Sequence, residues 1–427
     1  MSNKVGKRLL PALRFPEFRD APAWKSKTVK ELCDLKAGQF VSGADINEKP
    51  EQNLHPCYGG NGLRGYTRTF THEGIYPLIG RQGALCGNVR QAIGRFHATE
   101  HAVVVSPKQE TNVDWLFHLL VTLNLNRFAT GQAQPGLSVE VIEKVPSAAP
   151  LPMEQRKIAA CLSSLDDLIA AQAKKIEALK AHKKGLMQQL FPVEGETLPK
   201  LRFPEFRDAG EWDKKQIGDL KPFVTSGSRG WAAYYANQGS LFVRITNLTR
   251  ESIYLDLTDT KFVKLLQEAS EGVRTQLKEF DVLISITADI GIIGYVDASV
   301  PSPAYINQHI ALVRFDASQV CSKFVSYFLV SERSQRLFRA STDNGTKAGM
   351  SLIVVQKIQV VLPSISEQQK IADCLATLDD LITAQTQKLT ALKTHKKGLM
   401  QQLFPSVGGV PEGQGGFPSV GGVAGEA

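Results

Sequence analysis

LRFPEFRDA stands at residues 13–21 and recurs letter for letter at 201–209, with Trp24 matched by Trp212 at the same offset of 188. A second block, EQRKIAACLSSLDDLIAAQAKKIEALKAHKKGLMQQLFP at 154–192, returns at 367–405 with 29 of 39 positions identical, at an offset of 213. This register extends upstream without a gap, since Gly136, Ser138, Lys144 and Pro150 align with Gly349, Ser351, Lys357 and Pro363. An internal repeat of this size constrains the fold before any local signal does, because each copy is one structural unit used twice. Between the blocks the two halves hardly resemble one another, and the second interval is 25 residues longer. Only a faint framework survives, such as ATEHAVVV at 98–105 against INQHIALV at 306–313.

Both intervals read as short apolar strands broken by Gly-rich turns, IYPLIGRQGALCGNV at 75–89 and DVLISITADIGIIGYV at 281–296. A helix is predicted after each, near 113–128 and 323–338. The reading is therefore α+β: two diverged heads of one ancestral fold, at 24–150 and 212–362. The segment 1–23 is repeated as a linker at 193–211, and the helical blocks occupy 151–192 and 363–405. The remaining 406–427 is a Gly-rich tail carrying SVGGV twice, a composition too poor in apolar residues to order itself.

The length of 427 residues suits two or three domains, and 43% hydrophobic residues supply enough apolar mass for their cores. No run approaches the roughly 18 apolar residues of a membrane span, and the opening MSNKVGKRLLPALRFP lacks the apolar core of a signal peptide. The six cysteines stand far apart with no CxxC pair, which argues against a zinc site or a disulfide framework and fits a reducing cytoplasm. The net charge of +8 is spread without a dense basic block, so it permits nucleic-acid binding without demanding it.

In the first helical block Ile158, Leu162, Leu165, Ile169, Gln172, Ile176, Leu179, Lys183, Leu186 and Leu190 follow one another in alternating steps of four and three. The second block repeats the pattern with Ile371, Leu375, Leu378, Ile382, Gln385, Leu389, Leu392, Lys396, Leu399 and Leu403. A 3.5-residue period over five heptads is a coiled-coil seam. Pro192 and Pro405 stop the helices, and at 1.5 Å per residue each rod is about 58 Å long. Because the termini of a compact domain lie close together, the second rod should start near the end of the first and run back along it. The result is a pseudo-twofold object whose antiparallel rods hold unlike heads at opposite ends. A register that pairs Leu162 with Leu399 and Ile169 with Leu392 fills every layer and sets Lys396 beside Leu165 and Asp166. Gln172 and Lys183 are read either as tolerated seam positions, the lysine reaching out to water, or as residues that fix the register and leave a surface for partner helices.

Catalytic signatures are missing. There is no GxxxxGK[ST] loop, no dinucleotide fingerprint, no HExxH and no GxSxG, and no Pro-Pro pair that would allow the loop of amino-methyltransferases. The histidines His72, His97 and His101 lack partners at metal-ligand spacing, and His101 and His309, alike in the two framework strands, are read as structural. The expectation is a chain without catalysis or metal of its own.

With LRFPEF and a tryptophan opening each half, GLS or GMS before LP and EQxKIA, LDDLI within each rod and HKKGLMQQLFP closing it, the chain resembles the specificity subunits of type I restriction-modification systems. The resemblance covers nearly the whole sequence. It implies that the heads are target recognition domains, each reading one half of a bipartite, asymmetric site in double-stranded DNA. It also implies that the rods set the gap and dock two methyltransferase subunits, and through them the restriction-translocase subunits. S-adenosylmethionine, ATP and Mg²⁺ would then be held by those partners, with no cofactor in this chain. A 58 Å spacer corresponds to at most roughly 17 base pairs of duplex.

Base edges are read in the major groove by Arg, Lys, Asn and Gln, while Arg, Lys, Ser and Thr position the protein on phosphates. In the first head the Gly-rich polar runs YGGNGLRGYTR and GRQG nominate Tyr58, Asn61, Arg64, Tyr66, Arg68, Arg81 and Gln82. In the second, Ser228, Arg229, Arg244, Asn247, Thr287 and Asn307 are the candidates. The polar runs 130–134 and 342–347 are read as further contact loops.

Overall fold

A computed structural model describes residues 9–83, 85–131, 135–265, 270–342 and 349–407. The tail from 408 on and most of the runs 130–134 and 342–347 lie outside the described residues. The chain divides into two compact units, one holding residues up to Gln172 together with those from Lys388 on, the other Ala173–Gln387.

Each rod is one continuous helix of 39 residues, Pro152–Leu190 and Ile365–Leu403. Both are shared between the units, and in each unit the two helical segments run antiparallel. In the first unit Ile158, Ala159 and Leu162, from the start of the first rod, pack with Leu399, Met400 and Leu403, from the end of the second. In the second unit Leu186 and Leu190 pack with Ile371 and Leu375. Every seam position from Ile158 to Leu190 and from Ile371 to Leu403 is buried or half-buried, including Gln172 and Gln385. Lys396 Nζ lies 2.5 Å from Asp166 Oδ1, where the register inferred from the heptads puts it.

The repeat is visible contact by contact. Arg14 grips Glu154 with two hydrogen bonds of 2.8 and 2.7 Å, and Arg202 grips Glu367 with two of 2.7 Å. Leu13 N donates to Gln402 O and Leu201 N to Gln189 O, each at 2.9 Å. Gln155 Oε1 accepts from Asn112 N, and Gln368 Oε1 from Cys321 N. The ends of the rods cross over between halves: Phe404 packs on Trp24 and Trp115, whereas Phe191 packs on Phe324, which in turn meets Trp212. One difference stands out. Trp24 Nε1 donates to Glu154, while Trp212 Nε1 is buried without a hydrogen bond among the described residues.

The heads share a plan and differ in its elaboration. The first is a six-stranded sheet in the order Cys33–Ala37, Ala102–Pro107, His72–Gly80, Val89–Ala98, His55–Gly59, Gly62–Thr67. Its side chains alternate between faces, as strands require: Ile79, Val103 and Val105 meet the helix Val113–Thr122, while Leu78, Val104 and Phe96 fill the other side. The second head has two four-stranded sheets. In one, Val282, Ile284, Ala311 and Val313 face the helix Ser322–Val330, whereas Leu283, Ile310 and Leu312 pack on Leu241, Val243, Ala304 and Ile306 of the other.

The single helix predicted after each strand run is broken in both heads. In the first it ends before Asn124, which adopts a left-handed φ of 47°, and a short 3-10 turn Leu125–Phe128 follows. In the second, extended Ser331 separates Ser322–Val330 from Glu332–Thr342. Asparagine tolerates the left-handed conformation better than other non-glycine residues, so periodicity alone did not reveal the break. No helix among the described residues is long and apolar enough to cross a membrane.

Candidate nucleic-acid interface

Both heads build the same backbone frame at the ends of their central strands. In the first, Arg81 N donates to His101 O and Leu137 N to Arg81 O, at 3.0 and 2.9 Å. In the second, Ile286 N donates to His309 O and Met350 N to Ile286 O, at 2.9 and 2.7 Å. A glycine anchors a loop against each frame. A Cβ on Gly38 would lie 2.1 Å from Ala98 O, and one on Gly227 would lie 2.3 Å from Ile306 O, so only glycine permits these approaches.

Across the first frame opens a cleft of about 390 Å³, lined by Gly59–Arg64, Gln82, Gly83 and His101. Three of the nominated readers, Asn61, Arg64 and Gln82, meet there from two separate runs of sequence. Asn61, Arg64 and Gln82 are exposed, as is Arg68 just beyond the edge strand. Gln82 also bridges to Gly136, which brings a third segment to the same edge. Tyr58 and Tyr66 are set further back. The Tyr58 ring packs edge-on against Phe96 at 5.9 Å, with its hydroxyl pKa raised by burial, and the Tyr66 backbone pairs with Asn47 at 2.8 Å. Arg81 is half-buried, with its Nε enclosed and unbonded among the described residues.

In the second head the structure sorts the candidates differently. Asn247 is 1% exposed: its Oδ1 accepts from Arg244 N, and its Nδ2 donates to Asp256 O and Asp259 O, at 2.8–2.9 Å. Arg244 is turned onto Asp259 at 2.9 Å. Asn307, 8% exposed, accepts from His309 N, and Thr287 bonds the His309 ring. These four are engaged inside the head: the two asparagines satisfy nearby backbone groups, as short polar side chains in turns readily do, Arg244 is paired with Asp259 and Thr287 with the His309 ring. Ser228 is half-buried and accepts from Arg274 Nη2 at 2.7 Å; Arg229 is exposed.

His101 and His309 occupy the same frame position with different surroundings. The His309 ring is held by Thr287 and, at 2.9 Å, by Gln308. His101 is 40% exposed, lies 3.3 Å from Glu100 and lines the cleft, in addition to the part its carbonyl plays in the frame. Arg274 was missed, since no motif marks an arginine whose guanidinium ties down a distant loop at Ser226 and Ser228.

A cleft lined with Arg, Asn, Gln and His on a sheet edge carries the donors and acceptors that base edges and phosphates require. The model of the type I restriction modification DNA specificity domain matches residues 22–181 and again 209–394, most of the chain. The chain belongs to this family. Within it, the EcoprrI specificity subunit of Escherichia coli is 48% identical over 145 residues, 34% of this chain and 36% of that protein. A putative type I restriction enzyme specificity subunit of Haemophilus influenzae is 23% identical over 339 residues, covering 78% of this chain and 82% of the relative. Among solved structures, the S subunit of the type I restriction-modification system from M. genitalium aligns over 93% of this chain and all of its own, with a TM-score of 0.63 at 16% identity. The two family matches begin close to the repeated motifs, so the duplication found in the sequence is a duplication of the family's specificity domain. Among the described residues no group of three His, Cys, Asp or Glu is placed to hold a metal ion.

Proposed function

We propose that this chain is the non-catalytic DNA-recognition subunit of a type I restriction-modification complex. It reads a bipartite, asymmetric target in double-stranded DNA, the head at 24–150 reading one half-site and that at 212–362 the other. The rods set the unspecified gap and dock two methyltransferase subunits, which in turn carry the motor-nuclease subunits. S-adenosylmethionine, ATP and Mg²⁺ are bound by those partners. The six cysteines are unpaired thiols, in keeping with work in a reducing cytoplasm.

One observation carries the reading: equivalent backbone frames in the two heads present different outward side chains. A shared frame with unlike loops reads unlike half-sites, whereas repeated rods serve two copies of one partner. In the first head Arg64 and Arg68 would steer the backbone phosphates, with Asn61 and Gln82 set to meet base edges. Phosphate contacts make binding fall steeply with salt.

The test is a domain swap within the assembled complex. Replacing residues 24–150 with another family head should change one half of the methylated sequence in host DNA and leave the other half intact. Altered recognition of both halves would overturn the assignment. Adding one heptad to each rod should widen the gap between unchanged half-sites; an unchanged gap would refute the spacer role.

A further inference from the structure

Phe40 is the most exposed aromatic residue among the described large hydrophobics, at 77%. A lone exposed apolar side chain is ordinary, but the setting of this one is not. Its loop is pinned on both sides of the ring. Gly38 lies against the Ala98–Thr99 backbone, Gln39 N donates to Ala98 O at 2.8 Å, and Gln39 O accepts from His97 Nε2 at 3.1 Å. Beyond it, Ser42 caps a 3-10 turn Gly43–Asp45, and Gly43 faces the Arg64 guanidinium. One end of the loop is thus bonded to the strand that leads to the cleft and the other, capped locally, passes close to Arg64, while the phenyl ring between them reaches solvent. Leu63, 53% exposed, lines the same cleft, and Leu85, 42% exposed, follows Gln82 and Gly83. An exposed apolar side chain, Leu63, thus lies beside the Arg64 cation in the cleft lining.

The second head supplies an internal comparison. Gly227 is the equivalent anchor, packed on Ile306 and Asn307 as Gly38 is on Ala98 and Thr99. Two residues past each anchor stand Phe40 and Arg229, both exposed. The same place in the same frame therefore presents a phenyl ring in one head and a guanidinium in the other.

We infer that this position is a reading position in each head, and that Phe40 acts as an apolar wedge that unstacks a base step in the half-site read by the first head. The inference rests on the function proposed above. An exposed phenyl on a fixed loop suits such a role, because apolar wedges between base steps kink duplexes that flanking cations hold. Arg229 would instead make a polar contact with a base edge or phosphate, without unstacking.

The experiment uses the full chain assembled with its methyltransferase partner, on duplexes carrying the target mapped from host methylation. 2-Aminopurine is placed in turn at each step of both half-sites. Away from the adenines that the methyltransferase subunits themselves flip out of the stack, wild type should brighten at one step of the first half-site and at none of the second. Phe40→Ala should abolish that signal and weaken binding about tenfold or more, and Phe40→Leu should retain part of both. The reciprocal Arg229→Phe should create a bright step in the second half-site. If wild type binds its target and Phe40→Ala leaves both emission and affinity unchanged, the wedge is refuted while the recognition role stands. If Phe40→Ala disrupts assembly with the methyltransferase in the absence of DNA, the ring covers protein and the inference is likewise overturned. If the wild-type complex shows no preference for the mapped target, the proposed function itself fails.

Discussion

Lys183 and Asp379, 196 positions apart, meet at 2.5 Å with side chains only 12% and 10% exposed. Their repeat equivalents, Lys396 and Asp166, meet at the same distance. Each aspartate also faces a residue supplied by the head of its unit. Tyr327 donates its hydroxyl to Asp379 at 2.7 Å, and His118 Nε2 lies 3.9 Å from Asp166. The rods thus repeat the ion pair, and the heads complete it with different chemistry. Of the two readings of Lys183, the structure favours the one in which it fixes register, because a one-heptad slip would separate both lysines from both aspartates.

Removing one member of the better-buried pair strands a charge. Lys183→Met should destabilise the second unit by about 3 kcal/mol. The double replacement Lys183→Met with Asp379→Leu should recover most of that loss, since a matched apolar pair leaves no stranded charge. Lys396→Met should cost about 1 kcal/mol or less, because Asp166 is 42% exposed and water screens the pair. Urea denaturation of the four proteins measures the contrast; equal losses at the two sites would contradict it.

His118 introduces a pH dependence that its counterpart Tyr327 lacks. Burial, reinforced by the Lys396 charge, pushes its pKa down from 6.5 to about 4, against the opposing pull of Asp114. Between those values the unfolded chain binds a proton that the folded unit does not, so stability falls as pH drops from 6.5 towards 4. The loss reaches roughly 3 kcal/mol at the acid end. His118→Leu should flatten this segment of the stability–pH curve. An unchanged slope in melts between pH 7 and 4.5 would remove His118 as its source.

Asn247 and Arg229 are both polar candidates in the sequence of the second head, yet the first is buried and the second exposed. Asn247→Ala deletes three buried hydrogen bonds and should destabilise the second head by about 2–3 kcal/mol. Arg229→Ala should leave folding within about 0.5 kcal/mol of wild type and instead weaken recognition of one half-site. Thermal unfolding and methylation mapping of both variants test the distinction.

The crossed-over rod ends make each unit depend on the other repeat. Phe404→Ala should cost the first unit about 3–5 kcal/mol, since the ring packs on both Trp24 and Trp115. Phe191→Ala should have a similar effect on the second unit through Phe324 and Phe328. Hydrogen exchange within each unit would report which core loosens.

Sequence alone determined the duplication, the lengths of the rods and their antiparallel seam down to the meeting of Lys396 with Asp166. It also located the Gly-rich runs from which Asn61, Arg64 and Gln82 converge. These are one-dimensional facts: a heptad pattern and a verbatim repeat state which positions face a common axis, whatever surrounds them. Tertiary structure decided which polar residues look outwards. Asn247 and Asn307 belong to runs as polar as those of Arg64 and Gln82, but backbone groups folded beside them absorb their hydrogen bonds, and no local signal announces that. Phe40, His118 and Arg274 acquired their places in the same way, because exposure and pairing depend on neighbours that the chain brings together only after it has folded.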